Sequence, residues 1–210
     1  MTSLALFFVG SVLLANGLGL LGRLSAKDTA PINLFIGLTL VATVAVGALP
    51  IAGSSEPELS AVLGVTGFLL FAFTYLYVAV NTFKDLPGSG LGWYCGWAVL
   101  VSLFLSWVNF DRFGDPKFGT IWLSWAVLFF AFFLVLALGQ DRLAKPTGWL
   151  AVMQAFTTTT IPGALQLTGR WGDTPTALVV GAQVAVVVVF VVLALAATSR
   201  RARRGGGVRA

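Results

Sequence analysis

Apolar residues in this chain do not alternate with polar ones at a short period; they run unbroken between a few tight clusters of charge. The uncharged windows are 1–22, 29–55, 59–83, 86–110, 118–140, 146–169 and 174–199. A membrane-crossing helix needs about 20 mostly apolar residues, so each window holds one span and little else. The connecting loops must be short, and no separate soluble domain fits between them. The pattern predicts an all-α membrane protein with seven transmembrane helices. The first basic residue, Arg23, follows the first apolar run instead of preceding it, which is the reverse of a signal peptide. Residues 1–22 therefore read as a retained span.

Composition supports this reading and excludes others. Of 210 residues, 58% are hydrophobic and 10% are charged, against about 25% charged in a typical soluble domain. Mean hydropathy is +0.92. A soluble enzyme and a disordered chain are both excluded. The net charge is +5, but it does not point to nucleic acid. Five basic residues, Arg200, Arg201, Arg203, Arg204 and Arg209, form one tail after the last window, which is the signature of a cytoplasmic membrane face. With the N-terminus outside, the inner segments hold ten basic residues: Arg23, Lys27, Lys84, Arg142, Lys145 and the tail. The outer segments then hold three, Arg112, Lys117 and Arg170. The positive-inside rule therefore favours N-terminus outside and C-terminus inside. Cys95 is the only cysteine and there is no histidine, so an intrachain disulfide and any histidine ligand, base or pH switch are excluded.

The inner turns repeat. Asn16-Gly17, Asn81 and Gly139-Gln140 stand at the expected ends of helices 1, 3 and 5, and Pro31, Pro87 and Pro146 near the starts of the helices that follow. Amides suit helix ends with orphan carbonyls, and proline is tolerated in a first turn. Three such turns suggest three two-helix hairpins, with an extra C-terminal helix added. Residues 174–199 are Val-rich and read as offering no polar site, which implies a structural role.

Every Asp, Glu, Lys and Arg can sit at a loop or interface. Ion-coupled machines usually carry an ionisable group within a span, and a retinal-type chromophore needs a lysine that 174–199 lacks. No nucleophile–base pair or metal set is visible, so neither an enzyme nor a cofactor is expected. A pore for a neutral solute remains. Phe71 and Tyr75 share a helix face. Phe118, Trp122, Trp125 and Phe129 form an aromatic stripe at helical spacing. Rings in such positions belong either to an interfacial belt with packing or to a pore wall. Gln154 and the run Thr157–Thr160 ahead of Pro162 are likewise open to two readings: an interhelical hydrogen bond with threonines bonding back to their own helix, or a donor–acceptor pair facing a solute. Aromatic walls and an amide suit a small planar amide, which stacks on rings and carries its own NH₂ and C=O.

Several blocks together resemble the AmiS/UreI family of urea and short-chain amide channels. They are Val9-Gly10 with Asn16-Gly17; Leu70-Phe71-Ala72-Phe73-Thr74-Tyr75-Leu76-Tyr77 with Asn81; Ile121-Trp122-Leu123-Ser124-Trp125; and Trp149-Leu150-Ala151 through Gln154 to Ile161-Pro162. The resemblance implies a six-helix protomer of three hairpins with its N-terminus outside, its own pore, and assembly as a homohexamer. It also implies two constrictions, which fall here on Leu6, Val9, Leu13, Phe71, Tyr75, Trp122, Trp125 and Phe129, with Gln154 on the sixth helix. The chain departs from the family's acid-gated urea channel. It lacks histidine, its outer loop around Glu56 and Glu58 is short, and Gln154 and Phe129 stand where that channel has glutamate and tryptophan. No acid gating near neutrality is expected.

The resulting expectation is a passive, ungated channel for urea, formamide and acetamide, multi-pass in the cell (plasma or inner) membrane, with the lipid bilayer and five like chains as partners. The core is 1–168, the additional helix 169–199 and the basic cytoplasmic tail 200–210. The alternatives are a secondary transporter for the same solutes and a non-transporting scaffold or sensor.

Overall fold

The computed structural model describes residues 2–52 and 59–205. Glu56 and Glu58 of the expected outer loop, and Arg209 of the tail, lie outside the described residues. The described residues contain helices and no strand: α1 (Thr2–Leu20), α2 (Ala26–Ala52), α3 (Leu59–Phe83), α4 (Ser89–Asp111), α5 (Pro116–Leu136), α6 (Ala144–Gln154), a π-helical segment (Ala155–Thr160), α7 (Ile161–Leu167) and α8 (Thr176–Gly205). Six of these, α1 to α5 and α8, are long and apolar enough to cross a membrane. The sixth expected span falls on the run from Ala144 to Leu167. That run is helical throughout but segmented, because the π turns divide it into two short α-helices.

Side-chain caps set two of the helix starts. Ser25 and Asp28 form a capping box at α2: the Asp28 carboxylate accepts from the Ser25 backbone N–H (2.8 Å), and Ser25 Oγ accepts from the Asp28 N–H (3.2 Å). This start places Pro31 in the second turn, not the first. At α5, Asp115 Oδ1 accepts from the Phe118 N–H (3.0 Å) with Pro116 at the first helical position. The amides read as helix ends are used differently. Asn16 lies inside α1 and exchanges reciprocal hydrogen bonds with Asn33 of α2 (3.0 and 2.7 Å). Asn81 lies inside α3 and reaches over the turn to the Pro87 carbonyl (3.4 Å).

The rods pack in chain order around a ring, and α6–α7 closes it against α1. The packing alternates. It is extensive at α2/α3, α4/α5 and α1/α6–α7, and sparser at α1/α2, α3/α4 and α5/α6. The tight seams are made where glycine lets backbones meet. A Cβ on Gly17 would stand 2.8 Å from the Gly148 carbonyl oxygen across the α1/α6 seam. Close approach through small residues is how membrane helices gain packing when lipid offers no hydrophobic drive. The looser contacts leave room within the ring.

α8 lies outside the ring against α5, α6 and the π segment. The reading of this helix as lacking a polar site is corrected by the structure. Gln183 is 2% exposed, and its Nε2 donates to the Thr157 carbonyl (3.0 Å). The loop ahead of α8 is held by Lys117, whose Nζ donates to the carbonyls of Trp171 (2.8 Å) and Thr174 (3.2 Å).

Candidate pore

Two cavities lie within the ring, each of about 320 Å³. The first opens among the early turns of α1, α3 and α5 and the last turns of α4 and α7; Leu6, Val9, Trp122 and Trp125 line it. The second lies toward the opposite helix ends and is lined by Leu13, Tyr75 and Phe129. Phe71 is the one residue in both linings, and it is the hub of an aromatic cluster. Its ring centroid is 4.8 Å from Trp125 (edge-on), 5.5 Å from Phe129, 5.9 Å from Trp122 and 6.2 Å from Tyr75. Trp122 and Trp125 meet edge to face at 4.7 Å. Such offset and edge-on contacts are the favoured aromatic geometries.

Neither Trp122 nor Trp125 stands in an exposed interfacial belt. Trp122 is 8% and Trp125 4% exposed, so they face the ring interior and not lipid. The indole N–H of Trp125 donates to Thr158 Oγ1 (3.0 Å), which itself donates to the Gln154 carbonyl (2.6 Å). Trp125 is thereby tied to the segmented helix opposite. Gly67 makes room for the other ring, since a Cβ there would stand 2.8 Å from Trp122.

Of the nine residues marked in the sequence, eight line one or both cavities. Gln154 lines neither. Its amide is fully buried, and Nε2 donates to the backbone carbonyl (2.8 Å) and the hydroxyl (2.9 Å) of Ser124 on α5. Its Oε1 has no partner among the described residues. The interhelical reading of Gln154 therefore describes its contacts. The threonine reading holds as well: Thr157, Thr158 and Thr159 each donate to the carbonyl four residues back, at 3.2, 2.6 and 2.6 Å. The Thr160 hydroxyl reaches five back, to the Ala155 carbonyl (2.7 Å).

Polar groups also line the cavities, and sequence reasoning passed over those of the first. Asn109 and Gln166 line the first; Gln166 Oε1 accepts from Ser3 (3.0 Å), while its Nε2 is buried without a partner. The second contains Asn16 and the unpartnered hydroxyl of Tyr75. The only signal available in the sequence was polarity within an apolar window. Neither lining contains a charged side chain. The walls can therefore stack a flat solute and offer it hydrogen bonds, but they cannot replace the hydration of an ion.

A ring of apolar rods around two uncharged cavities defines a multi-pass protein of the cell membrane, built as transport proteins are. The chain belongs to the AmiS/UreI family of transporters, whose profile matches residues 1–170. It is 40% identical over 181 residues to a Mycolicibacterium smegmatis protein named for the transport of amidate substrates, covering 85% of this chain and 83% of that one. It is 32% identical over 196 residues to the acid-activated urea channel of Helicobacter pylori, covering 81% of this chain and all of that one. The cryo-EM structure of the Helicobacter pylori urea channel in its closed state superposes with a TM-score of 0.73 at 30% identity, over 81% of this chain and 100% of that one. The crystal structure of the urea channel from the same organism gives 0.70 at 28%, over 81% and 99%.

Proposed function

We propose that the protein is a passive channel for small neutral amides and urea, with one pore through each protomer. The observation that carries this reading is the pair of similar cavities on either side of Phe71. A path through the ring needs only the Phe71, Trp122, Trp125 and Phe129 cluster to part. A planar carboxamide suits that passage because it slides between ring faces and loses no charge solvation. Gln166 lines the first cavity and Tyr75 the second, so a polar side chain stands beside the path on either side of Phe71. Gln154 acts from behind the wall: by holding Ser124 it fixes the stretch of α5 between the two tryptophans.

In this reading the run 144–167 crosses the membrane as the sixth span and α8 as the seventh, with the N-terminus outside and the basic C-terminal end inside. The protomers assemble as a homohexamer. The chain has no histidine, so opening does not depend on acid near neutrality. Stopped-flow light scattering on proteoliposomes tests the proposal with urea, formamide, acetamide and glycerol. Fast amide entry with slow glycerol is expected at both neutral and acidic pH. Entry at acidic pH alone removes the ungated reading, and rates equal to empty liposomes remove the channel itself.

A further inference from the structure

The π segment leaves the Thr157 carbonyl without a regular donor in its own helix. In an α-helix the Thr157 carbonyl would accept from the N–H of residue 161, but the Ile161 N–H is spent on Phe156. The next candidate, five residues on, is Pro162, which has no N–H. A buried carbonyl left without a partner is costly in an apolar surround. The missing donor comes from outside the ring, as Gln183 Nε2 at 3.0 Å. A carbonyl can pair only with the NH₂ end of an amide, which fixes the orientation of the Gln183 side chain; its Oε1 is left without a partner.

The residue after Thr157 is Thr158, which accepts the Trp125 indole N–H. Gln183 therefore supports the backbone one peptide away from the group that holds a constriction ring. We propose that Gln183 is a positioning residue for the aromatic constriction: α8, which lies beyond the matched family span of residues 1–170, sets the Trp125 ring through the Thr157–Thr158 peptide. The inference rests on the pore reading above. It assigns the last helix a role in solute selection in addition to its contact with lipid.

The test uses full-length protein in proteoliposomes, reading the ratio of acetamide to urea permeability per assembled protomer. Gln183→Met keeps length and volume but removes the donor. It is expected to change that ratio about threefold, the factor to which an average interhelical hydrogen bond corresponds. In a Thr158→Val background, where the tie to Trp125 is already cut, Gln183→Met is expected to leave the ratio where Thr158→Val put it. A merely structural role would lower thermal stability in both backgrounds and move the ratio in neither; that result overturns the inference, as does an equal change in both. Where Gln183→Met does not assemble, Gln183→Asn, whose amide stops one methylene short, is read in the same way. A wild-type protein that conducts no amide at all sinks the pore reading and the inference with it, whereas an unchanged ratio in a conducting protein sinks the inference alone.

Discussion

α5 and α8 invert the rule that serves soluble proteins. α8 is the most apolar of the six spanning helices, yet only 22% of its spanning window is buried; α5 is less apolar and 61% buried. In water, hydrophobicity marks the core. In a bilayer both the core and the surroundings are apolar, so a Val-rich helix can stand largely outside the protomer's core. The inward helix carries the mixed residues, Ser124, Trp122 and Trp125, that interior contacts require. The inversion belongs to this pair and is not a scale, since α2 matches α5 in hydropathy (2.2) and is only 28% buried.

Three substitutions test that contrast. Trp125→Ala on the inward face should have the largest effect, raising propionamide relative to urea permeability about tenfold, the scale on which a pocket discriminates by one small apolar group. Comparative flux with assembly verified by size-exclusion chromatography checks it, and an unchanged ratio would return Trp125 to mere packing. Gln154→Leu should lower stability by about 0.5–1.5 kcal/mol, the net worth of a hydrogen bond, because Ser124 loses the Gln154 donor while its carbonyl keeps its own helix bond. Thermal unfolding in detergent reads the loss, and flux per assembled protomer should move less than in Trp125→Ala. Val192→Ala on the lipid face, at 58% exposure, should stay within about 0.5 kcal/mol of wild type and leave the permeability ratio alone. A ratio change there larger than in Gln154→Leu would break the contrast.

The spans were legible because charge interrupts the chain only at its turns. The stripe of Phe118, Trp122, Trp125 and Phe129 was legible as one face, because periodicity states which residues point together. It does not state what that face meets, and so periodicity alone left open whether the tryptophans were exposed to lipid or buried. Gln154 was ambiguous for the same reason, its partner Ser124 lying 30 positions away. The tight seams lay elsewhere than the repeating turns, because they depend on which residue a glycine meets on another helix: Gly148 for Gly17, Leu76 for Gly37 and Ala137 for Gly92. Gln183 escaped notice because a single amide among valines has no pattern. Its significance lies in a missing N–H at Pro162, on another helix.

The π segment also changes the angular bookkeeping of its helix. Each residue of an α-helix turns the chain by about 100°, so Gln166 would stand about 120° around the axis from Gln154 if the rod were regular. A turn closed over five residues instead of four absorbs one residue, and that angle falls to about 20°. A helical wheel drawn through residues 144–167 is therefore out of phase by about 100° beyond Thr160. The extra residue in the threonine run is a rotation applied to everything after it, including Gln166, which lines the first cavity.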